Sequence, residues 1–125
     1  VIVSKKYLYS DITEKIIKCF YKVYDELGSG FLESIYVKAL IIELKEIGFQ
    51  VEYEKELKVK YKEKIIGIFR ADIIVEDKII IEVKAVTNLI PQHEAQLINY
   101  LKATGIRVGL VVNFGNELDF KRRIY

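Results

Sequence analysis

This sequence predicts a single α/β domain, a mixed sheet flanked by helices in the order ααβββαβ, which the tail can extend by an edge strand. Three observations carry that reading. Apolar residues recur at helical spacing up to Ile47, the pattern changes to short β-rich runs between Phe49 and Lys84, and helix followed by a buried strand returns after the single proline, Pro91. At 125 residues the chain sits near the usual size of one domain, so residues 1–125 are taken as one unit around one core.

The first helix spans Asp11 to Leu27, with Ile12, Ile16, Cys19, Phe20, Val23 and Leu27 on one stripe. Asp11 and Glu14 suit a capping-box start and Gly28 a stop. A second helix runs from Leu32 to Ile47, placing Leu32, Ile35, Tyr36, Ala39, Leu40 and Leu44 toward the core before Gly48 ends it. Three strands follow, Phe49 to Tyr61, Ile65 to Val75 and Ile79 to Lys84, separated by the polar turns 62–64 and 76–78. The first alternates charge with Leu57, Val59 and Tyr61, as a strand with one wet face does. Ile79-Ile80-Ile81 is apolar on both sides and belongs at the sheet centre. A third helix from Pro91 to about Thr104 precedes a buried strand at Val108 to Val112, and Leu118 to Tyr125 supplies the edge. There its Lys121-Arg122-Arg123 run would face solvent.

With 51% hydrophobic and 30% charged residues, the composition is that of a folded chain and excludes global disorder. No apolar run approaches the roughly 18 to 20 residues that span a bilayer, so a cytoplasmic protein without membrane contact is expected. Because the chain begins at Val1 and contains no methionine, a short N-terminal piece is expected to be missing. Cys19, the single cysteine, lies on the apolar stripe and reads as a buried thiol. His93 is the sole histidine, which rules out a histidine-rich zinc site and leaves it on a helix surface or at a minor substrate contact. A net charge of +2 decides nothing about nucleic acid.

Turn length makes the sharpest statement. A three-residue loop at 76–78 sets Val75 opposite Ile79 and hence Asp72 opposite Glu82. Like charges facing each other across a strand pair are destabilising, so a positive group is wanted there. Lys84, two residues on and on the same face as Glu82, supplies part of it. A magnesium or manganese ion held by two carboxylates, water and phosphate would supply more. A structural ion-pair cluster at the wet end of the sheet is the competing reading.

Asp72, nine residues, then Glu82-Val83-Lys84 resembles the signature of the PD-(D/E)XK nucleases, whose αβββαβ core matches the order above after one extra helix. Gly30-Phe31-Leu32-Glu33-Ser34-Ile35-Tyr36 resembles the Gly-x-x-Glu-x-x-Tyr motif of the GxxExxY proteins within that superfamily. The likeness continues through Phe69-Arg70-Ala71-Asp72, His93-Glu94-Ala95-Gln96, Asn99-Tyr100-Leu101-Lys102 and Val112-Asn113-Phe114-Gly115. It implies Mg2+ or Mn2+ at Asp72, Glu82 and the Val83 carbonyl, with Lys84 orienting the attacking water. Glu33 and Gln96 become supporting residues, and Tyr100, Tyr36 and Arg70 substrate contacts. A solvated helix face is the competing reading for Glu33 and for the Gln96/Tyr100 pair, and core packing for Tyr36. Glu43 reads as a salt-bridge partner.

The resulting expectation is a magnesium-dependent nuclease acting on DNA, in the homodimeric form common among small nucleases of this kind. Lys102, Arg107 and residues 121–123 are further phosphate contacts if they share a face. The alternative is a catalytically silent module on the same fold that binds nucleic acid or protein.

Overall fold

The structure, a computed structural model, describes residues 7–125. Helices α1 (Ser10–Leu27) and α2 (Glu33–Glu46) precede strands β1 (Val51–Tyr61), β2 (Lys64–Val75) and β3 (Ile79–Lys84). Helix α3 (Pro91–Thr104), β4 (Val108–Phe114) and β5 (Leu118–Ile124) follow, so the order ααβββαβ holds and the tail is the edge strand. The strands form one sheet in chain order. Neighbours are antiparallel except β3 and β4, whose parallel pairing needs the crossover that α3 provides. Among the described residues no helix is long and apolar enough to cross a membrane.

Two apolar clusters cover the two faces. On one, Ile16, Phe20, Tyr36 and Leu40 of α1 and α2 pack on Ile73, Ile79, Ile81, Leu110 and Val112; on the other, Leu97 and Leu101 of α3 pack on Ala71, Ile74, Ile80 and Val111. Strands β3 and β4 are thus buried on both sides, which is why their sequences are nearly unbroken apolar runs. Gly109 lets α3 settle on β4, since a Cβ there would stand 2.6 Å from a Leu97 methyl carbon.

Helix ends differ from the sequence expectation. The N-cap of α1 is Tyr9, in the left-handed region at φ 56° with no side-chain cap, and Asp11 acts from the first turn through the helix dipole. Leu32 is the extended residue before α2, outside its helical wheel. It is 77% exposed and Ile35 39%, so neither joins the core. Glu43 bonds Lys22 of α1 at 3.3 Å. The 121–123 run is only partly exposed: Arg122 donates to the Leu8 carbonyl and Arg123 pairs with Glu94.

One strand is longer than its neighbour. Strand β3 pairs with Ile73 to Val75 of β2, whereas residues 64–71 of β2 pair with β1. The β1–β2 hairpin therefore runs on past the sheet as a two-stranded arm, its tip closed by Lys62 and Glu63 in left-handed conformation.

Candidate functional site

The arm leaves the sheet at Asp72. The register Val75–Ile79, Ile74–Ile80, Ile73–Ile81 is the one that the three-residue loop requires, and continued by one step it brings Asp72 to Glu82. There the ladder stops: Asp72 Oδ2 accepts the Val83 amide proton at 2.8 Å, so a side chain replaces a backbone partner. Across the other edge the β1–β2 ladder skips Glu54 and Asp72 between the pairs Tyr53–Ile73 and Lys55–Ala71. Glu54 holds φ 52°, unusual for a non-glycine residue inside a strand. Ala71 packs under α3 and Ile73 under α1 and α2, so the alternation of faces breaks at Asp72.

Glu82 is 6% exposed, and its Oε1 has no hydrogen-bond partner. Burial above all, and then the Asp72 carboxylate, push its pKa up to about 8, while Lys84 acts in the opposite sense. The Tyr100 hydroxyl, raised by burial and then by Glu82 and Asp72, feels the same pair from the α3 side. The Tyr100 ring lies flat on Phe69 of the arm, centroids 3.8 Å apart. Asp72, Glu82, Lys84 and Tyr100 thus converge where β2 and β3 part.

Glu33 shares a cleft with Asp72. The cleft, of about 670 Å³, lies between α2 and the base of the arm, floored by Val37, Ile41 and Tyr53 and also lined by Glu54. The loop before α2 is held by Tyr36, whose hydroxyl donates to the Gly28 carbonyl at 2.6 Å and accepts from the Phe31 amide at 3.2 Å. Its ring stacks on Phe114 at 4.5 Å. Tyr36 is fully buried, so it cannot touch substrate; it positions the turn that presents Glu33. This gives a physical sense to Gly-x-x-Glu-x-x-Tyr: Gly30 adopts φ 106°, the tyrosine clamps the turn, and the glutamate points into the cleft.

Other candidates lie farther out. Gln96 is exposed on α3, one turn before Tyr100. Arg70 is on the arm, loosely paired with Glu56 at 3.8 Å. His93 accepts the Ile90 amide proton at 3.2 Å and so caps α3. Arg107 precedes β4, at the opposite end of the parallel β3–β4 pair from Lys84, so it does not share the site. Lys102 lies over the Tyr125 ring, which follows β5.

Three contributors were not assigned roles from sequence: Glu54, Phe69 and Asn113. The Asn113 amide both accepts from and donates to the Val86 backbone at 2.9 Å, fixing the chain as it leaves Lys84. Gly115 lies beside the same turn, where a Cβ would meet the Val86 carbonyl at 2.2 Å. Phe69 and Asn113 fall within the ordered motifs that flank Asp72 and close β4. Glu54 had no such signal.

The buried, unpartnered Glu82 Oε1 beside Asp72 is a hard-oxygen donor set that fits a divalent cation. Among the described residues no group of three or more His, Cys, Asp or Glu side chains is arranged to hold an ion. Water, backbone and substrate oxygens would complete the shell, as is usual for magnesium.

No curated protein matches the chain. A solved structure, the crystal structure of SSO0001, superposes with a TM-score of 0.57 at 24% identity, over 73% of this chain and 48% of that one. The chain thus spans about half the length of that relative, and the likeness speaks for the fold. The family profile of the PD-(D/E)XK nucleases matches residues 10–124, every strand and helix above included, and with the parted β2 and β3 carrying Asp72 and Glu82-Val83-Lys84 the chain belongs to the PD-(D/E)XK nuclease superfamily.

Proposed function

We propose that the chain, acting in the cytoplasm as one of the GxxExxY proteins, is a nuclease that hydrolyses DNA phosphodiester bonds with Mg2+ or Mn2+. The observation that carries this reading is the buried, unpartnered Glu82 oxygen facing Asp72, with Lys84 on the same strand face. An isolated pair of that kind is costly to keep and is accounted for by a cation it waits to bind.

Asp72 and Glu82, with the Val83 carbonyl as a further ligand, would hold the ion. Such an ion lowers the pKa of water and stabilises charge growing on phosphate. Asp72 is held in orientation by the Val83 amide, so its carboxylate does not have to reorganise. Lys84 Nζ donates to a non-bridging phosphate oxygen and orients the attacking water. Glu33, in the cleft with Asp72, and Gln96 support that water, while the Tyr100 hydroxyl and Arg70 contact the substrate. Water oxygen attacks phosphorus and gives up a proton to solvent, the ester P–O bond breaks, and the leaving oxygen takes up a proton from solvent.

The test is cleavage of supercoiled and single-stranded DNA with magnesium or manganese by the wild type, Asp72→Ala and Lys84→Ala. Cleavage by the wild type, reduced at least 100-fold in both variants, is expected. A wild type that cleaves nothing, with calorimetry finding no metal uptake dependent on Asp72 and Glu82, would hand the reading to a silent binding module.

A further inference from the structure

The arm has a composition unlike the rest of the chain. Residues 55–70 hold six of the 20 lysines and arginines but two of the 18 acidic residues, a net charge of +4 against −2 for everything else. An overall charge of +2 hides this division. Lys55 and Arg70, at the base, pair with Glu52 and Glu56. Among the described residues no carboxylate forms an ion pair with Lys58, Lys60 or Lys64 farther out. The charges are accompanied by large exposed side chains, Tyr61, Ile65, Ile66 and Ile68, each more than half accessible.

Register orders these groups. Lys58 pairs with Ile68 and Lys60 with Ile65, with a bulge between them whose extra residue, Ile66, lies on β2; alternation along β1 therefore still sets Lys58 and Lys60 on one exposed face, with Leu57 and Val59 half-buried on the other. At about 3.3 Å per residue, Lys60 stands roughly 17 Å beyond Lys55, the residue paired with Ala71 beside Asp72. A duplex turn is about 34 Å long, and its major groove admits a two-stranded β-ribbon.

Resting on the nucleic-acid part of the function proposed above, we infer that the β1–β2 arm is a duplex-gripping ribbon, with Lys58 and Lys60 on phosphates several nucleotides away from the carboxylates. Charge complementarity selects this occupant. Two copies joined through their arms would bring +4 against +4, whereas a duplex presents one phosphate charge per about 1.7 Å of axis. The exposed isoleucines would lie against apolar groups of the groove such as thymine methyls.

The test is binding of a fluorescent 30-base-pair duplex across a KCl series, with EDTA present, by the wild type, Lys58→Ala/Lys60→Ala and Lys15→Ala/Lys18→Ala, whose two lysines are exposed on α1. The arm variant is expected to bind on the order of 50-fold more weakly at 0.1 M salt, with a log–log salt slope lower by about 1.8, at 0.9 per phosphate contact. The α1 variant should bind as the wild type does. Equal losses in both variants, or no duplex binding by the wild type, would overturn the inference. So would sedimentation showing that Ile65→Ser/Ile68→Ser splits a dimer while the lysine changes leave duplex binding intact. With no divalent ion present, cleavage plays no part in the result, so the ribbon and the nuclease reading fail separately.

Discussion

Strand β2 is two strands in one. From Ala71 to Val75 every residue but Asp72 is buried, between α3 on one face and α1 and α2 on the other; from Lys64 to Arg70 the strand has one neighbour and is largely exposed. The inner half is where stability resides. The outer half has the charge and the reach. Asp72 stands at the junction, and the junction is the candidate site, because a residue leaving a packed ladder keeps a fixed backbone while its side chain gains a free side. Rigid support beside open access is what a functional carboxylate needs.

Core deletion should break the symmetry of these halves most visibly. Ile81→Ala, in the buried layer facing the inner half, is expected to cost about 4 kcal/mol in urea unfolding, whereas Ile66→Ala on the arm should stay within about 0.5 kcal/mol. Similar costs at both positions would mean that the arm is packed after all.

The junction itself should respond to pH. A carboxyl whose folded pKa is near 8, against an ordinary 4.5, holds a proton that the unfolded chain gives up between those values. Stability contributed by protonated Glu82 is therefore present at pH 4.5 and lost as pH rises to about 8. Without metal, Glu82→Gln is expected to be more stable than the wild type by about 2 kcal/mol at pH 8.5, with the gain vanishing near pH 4.5. A thermal-melt series over pH checks this, and a gain independent of pH would count against the buried charge as its cause.

The smallest effect concerns the contact that ties the halves together. Phe69→Leu removes a ring stacked on Tyr100 and should cost about 1 kcal/mol. Amide exchange should quicken in residues 55–70 and stay unchanged in β3 and β4. Uniform quickening would show that arm and sheet open as one unit.

The order of elements and the register at Glu82 were legible because both depend on local patterns: helical spacing, a doubly apolar strand and the length of one loop. The break in alternation at Asp72 was not. It arises from a left-handed Glu54, and nothing in a charged residue among charged neighbours announces a positive φ. Tyr36 looked like a substrate contact from its motif, yet its partners are the Gly28 carbonyl and Phe114, the latter 78 positions along the chain, and spacing cannot reveal such a partner. The isoleucines at 65, 66 and 68 lie in a strand as expected, but their exposure could not be read from the sequence, because β-branched residues favour strands, buried or not. The grouping of Glu33 with Asp72 and of Tyr100 with Glu82 needed the packing of α2 and α3 on opposite faces.

The parallel pairing of β3 with β4, and the Asn113 amide closing on Val86, set the time at which a new chain can acquire this site. When synthesis has reached Lys84, the charged groups Glu33, Glu54, Asp72, Glu82 and Lys84 have all been made, but the strand carrying Glu82 still lacks a neighbour on one side. It stays so until α3 has crossed over and β4 has emerged. Assembly of the carboxylate pair thus waits for the last quarter of the polypeptide, and a truncated product would hold both carboxylates and Lys84 without the framework that aligns them.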